Sequence, residues 1–115
     1  LKEPVSILIN NAGINPVAES TKISDQNIEN TMLVNLISPM RLIRGIIPSM
    51  QEQNYGRIVN ISSILGTVSR PGRTVYSASK AWCSNWCKAC IARWRAYRCN
   101  ISIGLFATAN KQWQK

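Results

Sequence analysis

The sequence predicts an α/β fold in which helices flank a doubly wound parallel sheet. Two short apolar stretches, residues 5–10 and 57–63, are rich in β-branched residues and end in small polar ones. A long stretch with helical periodicity separates them, and a second predicted helix follows the later stretch. This alternating order of strands and helices indicates adjacent parallel strands joined by right-handed crossovers.

The first predicted strand, residues 5–10, is a continuous apolar run, which is typical of a buried strand in a parallel sheet. Asn11, Ala12 and Gly13 follow its carboxyl end. Small residues there let a ligand approach the backbone, and open α/β sheets bind ligands at the carboxyl ends of their strands. An ordinary turn is the alternative, because Asn and Gly also favour turns.

Apolar residues recur at helical spacing between residues 25 and 50, which predicts one long helix with Ser24 as its N-cap. Pro39 lies inside this helix and removes a backbone hydrogen bond, so we expect a kink near residues 35–38. Asn35 is a polar residue in an apolar stretch. Either a buried, hydrogen-bonded structural residue or a functional one would explain it.

The second predicted strand ends in Ser62 and Ser63, and a loop with glycine and proline leads to the next predicted helix. Tyr76 and Lys80 stand four residues apart in that helix, so they share one face. An ammonium beside a phenol favours the phenolate, which makes the pair a candidate for proton transfer near neutral pH. A solvated helix pair is the alternative for this spacing on its own.

The ends of the two strands and the start of the later helix are expected to meet at one rim of the sheet. A serine hydroxyl, a phenol and an ammonium around one polar group suit proton transfer to or from a carbonyl or alcohol oxygen. Such a reaction also needs a hydride carrier. The chain contains none, so a nicotinamide cofactor is inferred.

Four stretches occur together in this sequence: Ile9-Asn10-Asn11-Ala12-Gly13, Val34-Asn35, Gly56-Arg57-Ile58-Val59-Asn60-Ile61-Ser62-Ser63 and Tyr76-Ser77-Ala78-Ser79-Lys80. Their order and spacing resemble the short-chain dehydrogenase/reductase family, in its carrier-protein ketoreductase-like subgroup. The resemblance covers residues 1–81. It implies part of a Rossmann-like fold and an NAD- or NADP-dependent oxidoreductase that interconverts a small carbonyl compound and an alcohol.

The resemblance also implies catalytic roles for individual residues. Ser63 would hydrogen-bond the substrate oxygen, with Ser62 as the alternative for that role. Tyr76 would be the general acid and base. Lys80 would hold the nicotinamide ribose and favour the ionised phenol, and Asn35 would position a water that relays protons to Lys80.

The cofactor site that the resemblance implies consists of Asn11, Ala12, Gly13, Tyr76 and Lys80, with no metal. The family binds the dinucleotide pyrophosphate through a glycine-rich turn in an N-terminal half that has no counterpart in this sequence. We therefore expect weak cofactor binding by this chain alone. The alternative function is an inactive truncated fragment or a non-enzymatic interaction protein.

The character of the sequence changes after Ala81. Residues 1–80 contain eight Lys or Arg and all five acidic residues, whereas residues 81–115 contain six Lys or Arg and no acid. Every Trp and Cys also lies in this tail: Trp82, Trp86, Trp94, Trp113, Cys83, Cys87, Cys90 and Cys99. We therefore divide the chain into residues 1–81, which carry the catalytic motifs, and a divergent basic tail at residues 82–115.

A shifted reading frame is our preferred interpretation of this tail. Moving the frame by one base over residues 82–86 can give the glycine and small aliphatic residues that the family shows there. Residues 101–108 still resemble a cofactor loop of the family. The rival interpretations are an iron–sulfur site on Cys83, Cys87 and Cys90, a zinc site that adds Cys99, and nucleic-acid binding through the basic, Trp-rich tail.

The shifted frame accounts for the charge and the tryptophans without any of these functions, so we expect neither a metal nor a nucleic-acid partner. No apolar run is long enough to span a bilayer and no signal peptide is evident, which predicts a cytoplasmic protein without a membrane segment. The resemblance implies a homo-oligomer for full-length members of the family.

Overall fold

Three parallel strands form a single sheet in a computed structural model that describes residues 3–93 and 97–103, with side chains as far as Trp86 apart from residue 84. The strands are β1 (Ile7–Asn10), β2 (Gly56–Ser62) and β3 (Tyr97–Ile103), in the order β1-β2-β3. Ile7 pairs with Arg57 at the start of β1, and β2 pairs along its whole length with β3. The predicted α/β class and the parallel pairing of the first two strands are confirmed.

The long helical stretch is divided into α1 (Asp25–Met32), a π-helical turn (Leu33–Ile37) and α2 (Ser38–Glu52). Ser24 is the N-cap of α1, as predicted, and its hydroxyl accepts a hydrogen bond from the Asn27 amide at 3.3 Å. The interruption predicted near residues 35–38 takes the form of the wider π-helical turn, in which the Ser38 amide donates to the Leu33 carbonyl. Pro39 follows directly, in the first turn of α2, where a missing N–H is tolerated.

The helix that carries Tyr76 is α3 (Thr74–Arg93). It runs through Ala81 and Trp82 without a break, so the change in composition there is not a change in secondary structure. The division into residues 1–81 and 82–115 stays a prediction about sequence origin. None of the helices described has the length and hydropathy needed to cross a membrane.

The core lies between the sheet and the helices, on one face of the sheet. Ile43 and Met50 of α2 pack with Ile58 of β2, and all three are almost completely buried. Each such side chain contributes about 1.5–3 kcal/mol to the free energy of folding. Partly buried side chains surround this cluster: Val5, Leu8, Ile46, Ile47, Trp82 and Trp86. Helices α2 and α3 therefore cover the same face.

The opposite face of β1 is exposed, whereas its apolar run is typical of a buried strand. Ile7 and Ile9 alternate with Leu8, and their exposed fractions are 56% and 60%. A strand of a parallel sheet is apolar on both faces because both faces are normally covered. In the described part of this chain, helices cover only the face that carries Leu8.

Candidate active site

Tyr76 and Lys80 lie one turn apart near the start of α3, as predicted. Lys80 is only 5% exposed, and its Nζ lies 6.0 Å from the centroid of the Tyr76 ring. The same Nζ donates a hydrogen bond to the Ile61 carbonyl of β2 at 3.0 Å. Lys80 is therefore held inside the fold, and the alternative of a solvated helix pair does not apply to it.

The backbone of Lys80 is held against the end of β2. The Ser62 hydroxyl donates to the Lys80 carbonyl at 3.0 Å. Gly66 ends a 3-10 turn (Ile64–Gly66) that packs on the same carbonyl. A Cβ atom at residue 66 would lie 2.9 Å from the Lys80 carbonyl oxygen, which is closer than backbone atoms allow. The Ser62 hydrogen bond and the packing of Gly66 together fix the position of the Lys80 backbone relative to the end of β2.

The two serines at the end of β2 have different surroundings. The Ser62 hydroxyl donates its hydrogen to the Lys80 main-chain carbonyl. The Ser63 hydroxyl instead accepts a hydrogen bond from the Leu65 amide at 3.2 Å, so that Ser63 is the N-cap of the 3-10 turn. Its own hydrogen has no acceptor among the described residues. Of the two, Ser63 has the hydroxyl that can donate to a ligand.

Asn35 is 2% exposed and lies at the centre of the π-helical turn. Its Oδ1 accepts a hydrogen bond from the Ile14 amide at 2.9 Å, and its Nδ2 donates to the Ile14 carbonyl, also at 2.9 Å. Nδ2 donates a second bond to Ser79 Oγ at 2.9 Å. The two bonds to Ile14 fix which way the side-chain amide points. A structural role for Asn35 is thus evident from its contacts.

The segment Asn11, Ala12 and Gly13 follows β1 as exposed chain without regular secondary structure. Gly13 passes close over the site, because a Cβ atom built on it would lie 3.3 Å from Lys80 Nζ and 3.5 Å from Asn35 Oδ1. The structure therefore brings this predicted cofactor segment next to Lys80 and Asn35.

Several residues around the site are absent from the sequence-based prediction. Ser79 links Asn35 to α3, since its hydroxyl accepts from Asn35 Nδ2 and donates to the Tyr76 carbonyl at 2.7 Å. Asn10 and Asn60 pair across β1 and β2 at 2.7 Å. An Asn near the polar end of each predicted strand was the available signal for that pair.

Trp82 is a further residue that sequence analysis does not assign to the site. Its Nε1 donates to the Asn35 main-chain carbonyl at 3.0 Å. Trp82 lies in the part of the sequence that was interpreted as a divergent tail, so no role at the site was predicted for it.

The predictions about the tail fall mostly outside the described residues. Cys83 is buried. The side chains of Cys87, Cys90, Trp94, Cys99 and Trp113 lie outside the described ones, as do residues 104–108 of the stretch that resembles a cofactor loop. Residues 101–103 of that stretch belong to β3. The described part of the chain has no group of side chains that could hold a metal ion.

Comparison with known proteins identifies the family. A family model described as "short chain dehydrogenase" matches residues 2–112, which is nearly the whole chain. The chain belongs to the short-chain dehydrogenase family. The match continues beyond Ala81, through α3 and β3, in agreement with the unbroken secondary structure.

Curated proteins similar to this chain include bacterial proteins of more than twice its length. Nodulation protein G from a Rhizobium species is 42% identical over 79 residues, which cover 69% of this chain and 32% of the relative. Ketoacyl reductase HetN from a Nostoc species is 39% identical over 100 residues, which cover 87% of this chain and 35% of the relative. The chain thus spans about a third of the length of these relatives.

Solved structures of short-chain dehydrogenases have the same arrangement of strands and helices. A 4-hydroxyisoleucine dehydrogenase complexed with NADH and succinate has a TM-score of 0.81 and 32% identity, covering 87% of this chain and 49% of that one. A gluconate 5-dehydrogenase from Burkholderia cenocepacia, in complex with NADP and tartrate, has a TM-score of 0.77 and 28% identity, covering 84% and 38%. The Rossmann-type fold expected from the resemblance is confirmed.

Proposed function

We propose that this chain carries the catalytic centre of an NAD- or NADP-dependent dehydrogenase that interconverts a small carbonyl compound and an alcohol. The observation that carries the proposal is the placement of a buried ammonium, Lys80 Nζ, 6.0 Å from the Tyr76 ring. The Tyr76 hydroxyl has no hydrogen-bond partner among the described residues, and neither has the Ser63 hydroxyl hydrogen. A hydroxyl donor near a buried cation suits an oxygen that gains negative charge, and the resemblance adds the Ser63 hydroxyl as a second donor to that oxygen.

Tyr76 would hold the transferred proton on its phenol oxygen. In the reductive direction, the substrate carbonyl oxygen takes this proton while the carbonyl carbon takes a hydride, and the product is an alcohol. Ser63 would donate its hydroxyl hydrogen to the same substrate oxygen and so fix its position beside Tyr76. The two hydroxyls share the charge that develops on that oxygen.

Lys80 would stabilise the phenolate that remains after the proton leaves. One of its three ammonium hydrogens is used by the Ile61 carbonyl, which leaves two donors for other groups. A buried cation interacts with nearby charge more strongly than a solvated one, because the local dielectric constant is lower. Burial of Lys80 therefore strengthens its effect on the phenol.

The contacts of Asn35 restrict how it could hold a relay water. Both hydrogens of Nδ2 are used, by the Ile14 carbonyl and by Ser79 Oγ. A water bound to Asn35 would therefore have to donate a hydrogen to an Asn35 oxygen. Its oxygen could accept from the Lys80 ammonium, and its second hydrogen could pass to Nζ once Lys80 has given up a proton, as a relay to Lys80 requires.

The residues present fit a nicotinamide nucleoside. Asn11, Ala12 and Gly13 form an exposed segment, and Gly13 lies next to Lys80. Lys80 and Tyr76 offer hydrogen-bond donors that suit ribose hydroxyls. When bound, the cofactor would supply or accept the hydride. The complexes of similar enzymes with NADH and with NADP support both choices of cofactor.

The test is turnover in the presence of a reduced nicotinamide cofactor and a panel of ketones and β-keto thioesters, followed by nicotinamide absorbance. Tyr76→Phe removes the proton donor while keeping the ring, so turnover is expected to disappear. Tyr55→Phe is the matched control. Tyr55 is exposed, and its ring lies 4.7 Å from the Arg57 guanidinium, at the opposite end of β2 from the site. Turnover that survives in Tyr76→Phe would overturn the proposal.

The alternative, an inactive fragment or an interaction protein, is favoured by one feature, the uncovered sheet face with Ile7 and Ile9. Cofactor titration separates the two functions. Binding of NADH or NADPH that is weakened in Lys80→Met supports the dehydrogenase. Absence of any cofactor binding by a folded chain supports the alternative.

A further inference from the structure

The main-chain carbonyl of Asn35 occupies an unusual position in the helical stretch. In a regular α-helix its hydrogen-bond donor would be the amide of residue 39. Residue 39 is proline and has no N–H. The carbonyl oxygen instead accepts a hydrogen bond from the indole Nε1 of Trp82, at 3.0 Å, from the neighbouring helix α3.

The same turn of α3 contacts Asn35 at a second point. Ser79 Oγ accepts from Asn35 Nδ2 at 2.9 Å, and Ser79 and Trp82 are three residues apart, on one face of α3. The side chain of Asn35 and its main-chain carbonyl are therefore both bound to the helix that carries Tyr76 and Lys80.

We propose that Trp82 is a positioning residue of the candidate site. Its indole N–H replaces the backbone donor that Pro39 removes, and it thereby holds the π-helical turn in the orientation that presents Asn35 to Ile14 and Ser79. The inference rests on the proposed function only in calling these residues an active site. The hydrogen-bond relationship among Pro39, Asn35 and Trp82 can be measured without turnover.

Trp86 provides a matched control within the same helix. Both indoles are half-buried, both pack against the core, and their rings meet edge to face at 6.0 Å. The Trp86 Nε1 atom, in contrast, is buried with no hydrogen-bond partner among the described residues. Phenylalanine at either position keeps an aromatic ring, but only Trp82→Phe removes a hydrogen bond to the π-helical turn.

The first experiment compares Trp82→Phe with Trp86→Phe by proton–nitrogen correlation spectroscopy and amide hydrogen exchange. In Trp82→Phe, the Asn35 side-chain amide signals are expected to shift, and the Ile14 amide to exchange about tenfold faster, the size of effect typical for one lost hydrogen bond. Trp86→Phe is expected to leave both unchanged. Equal changes in the two variants, or no change in Trp82→Phe, would overturn the proposal.

The second experiment uses Pro39→Ala, which restores a backbone N–H and does not depend on whether Trp82→Phe folds. The restored amide competes for the Asn35 carbonyl, so the Trp82 indole N–H is expected to exchange faster with solvent than in the unaltered chain. In the Pro39→Ala background, Trp82→Phe is also expected to change the Ile14 exchange rate less than it does alone. An unchanged indole exchange rate together with additive effects would contradict the replacement of one donor by the other.

Turnover assays are read separately from these measurements. If the chain shows no dehydrogenase activity while the Pro39–Trp82 coupling is present, the proposed function fails and the positioning of Asn35 by Trp82 stands. If activity is present and the coupling is absent, the proposed function stands and the positioning of Asn35 by Trp82 fails.

Discussion

Asn35 and Ile14 form a two-way hydrogen-bonded pair across 21 residues of chain, with both distances at 2.9 Å. The pair fastens the segment after β1 to the π-helical turn. Because Ile14 lies next to Gly13, it also fixes how closely that segment approaches Lys80.

Asn35→Asp is expected to break this pair. An aspartate still accepts from the Ile14 amide, but it places a charge against the Ile14 carbonyl and loses the donor to Ser79. We expect a loss of about 2–4 kcal/mol in the free energy of unfolding, measured by urea denaturation. Asn30→Asp is the control, since Asn30 is exposed and uses only its side-chain oxygen, to accept from Gln26. Equal losses in both variants would contradict the role of the pair.

Ser62→Ala and Ser63→Ala are expected to affect different properties. Ser62→Ala removes the donor to the Lys80 carbonyl, so stability should fall by about 1 kcal/mol with activity changed only a few-fold. Ser63→Ala removes the free hydroxyl donor, so kcat/KM should fall by about 10²–10³-fold. Urea denaturation and steady-state kinetics on both variants check this. The opposite order of activities would assign the substrate contact to Ser62.

Lys80→Met is expected to abolish activity and yet raise the free energy of unfolding by roughly 1 kcal/mol. Lys80 is buried without an ion-pair partner among the described residues, and a buried cation is costly. Methionine has a similar shape and no charge. Lys22→Met, at an exposed residue paired with Glu19, should change stability by less than about 0.5 kcal/mol. A clearly destabilised Lys80→Met would show that the charge, or its hydrogen bond to the Ile61 carbonyl, supports the fold.

Gly66→Ala and Gly45→Ala are expected to change stability in opposite directions. A Cβ atom at residue 66 would overlap the Lys80 carbonyl, so the 3-10 turn must shift, at a cost of about 1–3 kcal/mol. Residue 45 lies within α2 with no heavy atom within 4 Å of an added Cβ, and alanine there should stabilise the helix by about 1 kcal/mol. Thermal denaturation of the two variants distinguishes these effects, and a neutral Gly66→Ala would refute the close packing.

Much of the framework around the site could be predicted from local sequence. The β-branched runs indicated β1 and β2, helical periodicity indicated α1 and α2, and the four-residue spacing placed Tyr76 and Lys80 on one face. These features depend on neighbouring residues alone, so a single sequence reveals them. Proton transfer by Tyr76 and Lys80 was suggested by their chemistry, and the specific roles of Ser63, Tyr76 and Lys80 came from the family resemblance. All of these roles stay predictions.

Other features could not be predicted because they depend on contacts between distant segments. Whether Ile7 is buried depends on what packs against the second face of the sheet. The apolar run in the sequence does not reveal this. The bond between Trp82 and the Asn35 carbonyl depends on a proline in a different helix. β3 was missed because the altered composition after Ala81 suggested foreign sequence, although the chain there still pairs with β2.

The hydrogen bonds of the site join residues far apart in the chain. Asn10 and Asn60 are 50 residues apart, Asn35 and Trp82 are 47 apart, and Asn35 and Ser79 are 44 apart. Contacts of this kind form only after long loops have closed, which gives a high contact order and slow folding. No short peptide cut from this chain can reproduce the arrangement. The site is therefore expected to appear late in folding and to vanish in the same transition that unfolds the sheet.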